Sequence, residues 1–154
     1  MAPMLERAEL REAQDLLFFA YRDFTNAADV VLADLGLGRA HHRALHFIGR
    51  DPGMTVTALL GILRITKQSL ARVLGDLLER GYVVQAAGQG DRRQRRLSLT
   101  DSGVALEQSL FAAQCARIGP AYVAAGPQAV DGFRQVMRAI MEAAARNYLD
   151  RAKS

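Results

Sequence analysis

From Glu6 to Leu35 apolar residues return at three- and four-residue steps: Leu10, Ala13, Leu16, Leu17, Ala20, Tyr21, Phe24, Ala28, Val31 and Leu35. That spacing predicts one long helix. Phe18 and Phe19 widen its stripe beyond a single face, and a helix so long and so broadly apolar is of the kind that packs against another subunit. Leu35-Gly36-Leu37-Gly38 breaks it. A second helix is predicted over Arg39 to Gly49, with Ala40, Ala44, Leu45, Phe47 and Ile48 apolar, and Asp51-Pro52-Gly53 turns the chain after it. Thr55 is placed to cap a short third helix ending at Leu63, whose Ala58, Leu59, Ile62 and Leu63 face inward. After the tight connection Arg64-Ile65-Thr66, Thr66 caps a fourth helix over Lys67 to Arg80. Its core side is Leu70, Val73, Leu74, Leu77 and Leu78, and Gly81 ends it.

The period then changes. Tyr82 to Gln85 and Arg96 to Thr100 read as two short strands, with Leu97 and Leu99 alternating against polar neighbours. The polar loop Ala86 to Arg95 makes them a hairpin with a basic tip. Asp101 to Val123 is predicted as a fifth helix. Ala124 to Pro127 breaks the chain, and Gln128 to Arg151 returns as a sixth, with Val130, Phe133, Val136, Met137, Ile140, Met141, Ala144 and Leu149 on one face. Ala and Leu make up 46 of the 154 residues, which suits a mainly helical chain. The expected fold is mainly α with a small β-hairpin wing.

Charge sharpens this picture. The chain carries a net +4, yet Arg64 to Arg96 alone is +5 and the remainder −1. One basic segment on a near-neutral body points to a polyanion met at one place. At this length a single domain, 1–154, is expected. One cysteine excludes a disulfide framework and an all-cysteine zinc site. Glu6, Arg7 and Glu9 stand where a signal peptide would need an apolar run. The longest charge-free stretch, Ile118 to Val130, has 13 residues and is interrupted by glycine and proline, too short to span a bilayer. A cytoplasmic protein without membrane contact is expected.

The order helix, helix, tight turn, helix, basic hairpin is that of a winged helix-turn-helix. A helix about 10–12 Å wide fits the major groove of B-DNA. The start of the fourth helix offers Thr66, Lys67, Gln68 and Ser69, with Arg72 one turn on, all able to reach base edges or phosphates. The wing offers Arg92, Arg93, Arg95 and Arg96 to a minor groove, whose negative potential favours arginine. The stretch Asp91-Arg92-Arg93-Gln94-Arg95-Arg96-Leu97-Ser98-Leu99-Thr100 resembles the wing pattern D-x-R-x-x-x-hydrophobic-x-L-T of the MarR-type transcriptional regulators. The spacing from Gly81-Tyr82-Val83 to Asp91 and the lead-in Thr66 to Arg80 are similar too. The resemblance extends over essentially the whole chain. It implies a homodimer interlocked through helices at 5–35 and 101–151, and a DNA-binding lobe at 39–100. Two such lobes would read a pseudo-palindromic operator. It also implies Arg93 as the wing-tip arginine and Asp91 as the residue that holds the wing's shape. A repressor released by a small aromatic or phenolic acid is the expected function. The other reading is a winged-helix protein–protein adaptor, but four wing arginines against Asp91 suit DNA better than an apolar docking patch.

In relatives of this kind the effector lies between the dimerisation helices and the winged lobe. Here Tyr21 and Phe24 would wall that crevice, and His42 or His46 would meet a carboxylate. The alternative is that these residues simply pack the helices together. His42 and His46, four apart on one helix face, have a spacing that can bind metal. No third or fourth ligand clusters with them, so no metal is expected. Cys115 reads as an ordinary helix cysteine. The motifs G-x-S-x-G, H-E-x-x-H, the P-loop and G-x-G-x-x-G are absent, so neither an enzyme nor a cofactor is expected.

Overall fold

Three threonine hydroxyls open three of the helices. Thr55, Thr66 and Thr100 accept hydrogen bonds from the backbone N–H of Ala58, Ser69 and Gly103, each at 3.1 Å. Each supplies about 1 kcal/mol to its helix by satisfying an otherwise orphaned donor. Glycines close two. Leu37 N–H reaches back to the Leu32 carbonyl at 2.9 Å around Gly36 at φ +67, and Tyr82 N–H reaches Leu77 at 2.9 Å around Gly81 at φ +75. Both are the left-handed C-terminal turn that glycine adopts without strain.

The computed structural model describes residues 4–88, 90 and 93–151. Its elements are α1 (Arg7–Asp34), α2 (Arg39–Arg50), β1 (Met54–Thr55), α3 (Val56–Leu63), α4 (Lys67–Glu79), β2 (Val83–Ala87), β3 (Arg95–Leu99), α5 (Asp101–Ala125), α6 (Pro127–Ile140) and α7 (Ala143–Arg151). The strands form one antiparallel sheet in the order β1-β3-β2, with Met54 opposite Leu97 and Val83 opposite Leu99. The core runs from Ala28 and Leu32 of α1 through Leu45, Ile48, Leu59, Leu70, Leu74 and Leu77 to Leu97 of the wing and Leu106 and Leu110 of α5. The winged lobe and the inner halves of α1 and α5 thus share one core.

Three expectations need correction. The predicted two-stranded hairpin is part of a three-stranded sheet, because Met54 and Thr55 pair with β3 just before α3 starts. The wing strands also lie nearer its tip: β2 runs to Ala87 and β3 starts at Arg95, which shortens the loop. The single sixth helix over 128–151 is two helices. Met141 adopts an extended backbone (φ −68, ψ 147), and the carbonyl of Glu142 restarts the ladder by accepting from Ala145 and Arg146. No glycine or proline causes this break. The fold-back brings the Tyr148 ring to Phe47 of α2, 6.0 Å between centroids, and lays Arg50 over Tyr148 at 5.7 Å. Arg138 of α6 pairs with Asp150 of α7 at 2.9 Å. Packing has overridden helix propensity there.

Large apolar residues remain uncovered on α1, α5 and α6. From residue 4 to residue 22 every residue is exposed, including Leu16, Leu17, Phe18 and Phe19. Phe111 of α5 and Phe133, Val136 and Ile140 of α6 are exposed as well. Of the predicted sixth-helix face, only Val130 is buried.

Candidate nucleic-acid interface

Helix α4 is divided along its length. Leu70, Val73, Leu74 and Leu77 are buried, and Thr66, Lys67, Gln68, Ser69 and Arg72 are exposed. The apolar face anchors the helix while its first turn stays open to a partner. Thr66 has a second duty. Its hydroxyl accepts from Ser69 N–H and also donates to the Ser69 hydroxyl at 2.9 Å. Its donor and one acceptor position are therefore committed to the helix start, which leaves the Ser69 proton to be offered outward. The turn before α4 is tight because Arg64 sits in the left-handed region at φ 52, an uncommon conformation for a residue other than glycine.

In the wing, Arg93 and Arg95 are exposed. Arg96 is used internally: its guanidinium donates to the Gly53 carbonyl at 3.0 Å and pins β3 to the turn after α2. Asp91 and Arg92, both named from the sequence, lie outside the described residues. A cavity of about 390 Å³ lies against the sheet, lined by Val84, Ala86, Arg96 and Ser98 among others. A second, of about 210 Å³, separates α3 from the start of α4.

Tyr21, Phe24, His42 and His46 line neither cavity. The structure nevertheless connects α1 and α2 here, since Arg43 donates to the Tyr21 hydroxyl at 2.7 Å. Phe24, His42 and His46 are half-buried. Burial pushes both histidines below the usual imidazole value. The neighbouring His46 adds to this at His42 while Asp29 opposes it, and Glu107 opposes it at His46. Without a ligand, the folded chain therefore favours the neutral ring at both positions near neutral pH. Among the described residues no group of three histidines, cysteines or carboxylates is placed to hold a metal ion. Cys115 is free and half-buried on α5.

The lowered values give a stability prediction. The unfolded chain takes up protons at these two histidines near pH 6.5, and the folded chain takes them up only at lower pH. Stability is therefore full above about pH 6.5 and declines as pH falls toward the folded values. The melting temperature should drop between pH 7.5 and pH 5.5, and His46→Gln should flatten that slope. An unchanged slope in the variant would mean that His46 does not contribute.

The geometry, a capped helix-turn-helix followed by a β-wing with exposed arginines, is that of a winged helix-turn-helix protein. The MarR family matches residues 35–94. The HTH-type transcriptional regulator PetP of Rhodobacter capsulatus is 50% identical over 94% of this chain and 87% of its own. The chain belongs to the MarR family of transcriptional regulators. The fold is also that of the S. aureus MepR–DNA complex, with 15% identity, 82% of this chain and 94% of that one covered, and a TM-score of 0.64. A Mycobacterium tuberculosis MarR family protein in complex with p-aminosalicylic acid has 20% identity, coverage of 90% and 98%, and a TM-score of 0.59. Among the described residues no helix is long and apolar enough to cross a membrane.

Two contacts that hold α4 and the turn before it carry no signature in the sequence. His41 Nε2 lies 2.8 Å from Asp76 Oδ2 on α4. Arg64, in the turn before α4, pairs with Glu142 between α6 and α7. These partners stand 35 and 78 residues apart, where no local periodicity could reveal them.

Proposed function

We propose that the protein is a cytoplasmic, ligand-responsive repressor that binds a pseudo-palindromic operator as a homodimer. Helix α4 enters the major groove, and the arginine-bearing wing lies along the minor groove. The observation that carries the reading is the division of α4: a buried apolar face opposite an exposed first turn of Lys67, Gln68 and Ser69, with Arg72 beside it. Lys67 and Arg72 supply charge for phosphates, and Gln68 has the amide that pairs with adenine. Arg92, Arg93 and Arg95 add cations at the wing. The uncovered faces of α1, α5 and α6 bury each other across the dimer.

The effector in this reading is a small aromatic or phenolic acid in the crevice between α1 and α2, where Tyr21 and Phe24 give apolar walls and His42 or His46 a polar contact. The M. tuberculosis relative with p-aminosalicylic acid supports this class of ligand. Such a ligand releases DNA only as far as it binds the non-DNA form more tightly.

Selection of bound duplexes from a random library tests the DNA reading. Affinity for the selected site should fall steeply with salt as arginines displace counterions. Arg93→Ala should weaken all duplexes alike and flatten the salt slope. Gln68→Ala should instead lose about 1–3 kcal/mol of discrimination at particular base pairs. Identical sequence profiles for the two variants would defeat the division between wing and helix, and a library with no enriched sequence would defeat the reading itself.

A further inference from the structure

The junction between α1 and α2 is tied to α4 at two points. Arg80, which closes α4, donates to the carbonyl of Leu35, which closes α1. Helix α1 has no basic residue in its own last turn, so Arg80 brings from another helix the cation that a helix C-terminus favours. Four residues earlier, on the same face of α4, Asp76 meets His41 Nε2 at 2.8 Å. The other ring nitrogen, Nδ1, accepts from Gly38 N–H at 3.0 Å at the start of α2. An acceptor at Nδ1 places the single proton of the neutral ring on Nε2, aimed at Asp76. The His41 side chain is only 15% exposed, so the tie is shielded from water on one side. Every contact falls within residues 35–41, where α1 enters the winged lobe.

We propose that His41, Asp76 and Arg80 form a latch that sets the angle of α4 against α1, and so the half-site separation that the dimer accepts. His41 is a positioning residue and does not touch DNA. The proposal rests on the DNA-binding dimer argued above. The apolar contacts of Leu70, Val73, Leu74 and Leu77 are non-directional and tolerate small rotations of α4. Two directional contacts one turn apart do not. A rotation of about 5° acting over about 40 Å, the approximate length of α1, displaces its far end by about 3.5 Å. That is one base-pair rise. A loosened latch therefore blurs the spacing preference without touching base recognition.

The test uses the full chain and a duplex selected by the wild type, remade with the half-sites one base pair closer and one farther. The wild type should prefer its own spacing by about tenfold or more, as for a mismatch in a site. His41→Asn keeps an acceptor near the Nδ1 position, and so the cap, but cannot reach Asp76. Its melting temperature and mass should stay near wild type while its spacing preference shrinks to threefold or less. His41→Gln can still reach the Gly38 N–H as a capping-box residue and also sets an amide N–H near the Nε2 position, and should restore the preference. A role confined to capping predicts no loss in either variant, since Asn and Gln both keep an acceptor for the Gly38 N–H. Asp76→Ala cuts the same tie from the more exposed side, leaves the cap untouched and should match His41→Asn. Failure of the wild type to select any sequence would remove the DNA reading. A wild type that selects a site and then ignores spacing, or variants that keep the preference, would overturn the latch alone.

Discussion

Replacing Gly103 with alanine is expected to destabilise the protein by about 3 kcal/mol, toward the upper end of what overpacking costs. On helix propensity alone the change should gain as much as about 1 kcal/mol. Sterics decide the sign. A Cβ on Gly103 would lie 2.0 Å from the Tyr82 carbonyl oxygen and 2.9 Å from its carbon. The obstacle is backbone and cannot swing aside. Tyr82 N–H is bonded to Leu77 at 2.9 Å, and the Tyr82 carbonyl accepts from Thr100 at 3.0 Å. The first turn of α5 is pinned from its own side by the Thr100 hydroxyl. Relief would have to separate α5 from the start of β2 and loosen the wing. Thermal and urea unfolding at one protein concentration should show a loss of roughly 6–12 °C for a domain of this size. Gly61→Ala is the contrast, since nothing lies within 4 Å of its Cβ position on α3, and it should be neutral or stabilising. Equal melting temperatures for Gly103→Ala and wild type would mean that α5 does not start against Tyr82.

What the sequence made legible follows from the range of the forces involved. The 3.6-residue stripes of α1, α2 and α4 are local, as are the capping threonines Thr55 and Thr66 and the glycines at 36 and 81, and all of these stand where the pattern put them. The exposed first turn of α4 was legible for the same reason: Lys67, Gln68 and Ser69 fall off a stripe defined by Leu70, Val73, Leu74 and Leu77. Strand β1 was not. Two residues carry no alternation, and Met54 and Thr55 become a strand only because β3 passes beside them. The break between α6 and α7 was hidden by good helix formers, Ala143 to Ala145, and is imposed from outside by Tyr148 on Phe47. His41 has no sequence signal of its own. Its role comes from Asp76, on another helix. Of the candidate effector residues, the structure ties Tyr21 to α2 through Arg43 and places none of Tyr21, Phe24, His42 or His46 in either described cavity.

Phe18→Glu is expected to halve the mass of the particle in solution. Wild type at micromolar concentration should scatter as twice 16.8 kDa and the variant as 16.8 kDa. Helix α1 carries an energetic oddity. Sixteen residues from Arg7 to Arg22 form about 24 Å of helix with no buried residue, and a helical segment of that length is marginal in water by itself. The proposed dimer covers its apolar residues. Phe18 is 63% exposed, whereas the neighbouring Phe19 is already partly screened by the Arg22 guanidinium at 4.7 Å. Burying one such ring contributes up to about 3 kcal/mol, and two-fold symmetry counts it twice. A carboxylate in its place forfeits that gain and adds the cost of an unpaired charge in an apolar interface. A second consequence lies on the DNA. A monomer holds one half-site and loses the high effective concentration of the second lobe, so affinity for a two-half-site operator should fall by about 100-fold or more. Binding to a single half-site duplex should change little. Val84→Glu, on the exposed face of the wing sheet, should leave the mass unaltered. A variant that still scatters as a dimer would move the interface away from α1. A wild type that scatters as a monomer would remove the reason for two lobes, and with it the palindromic operator.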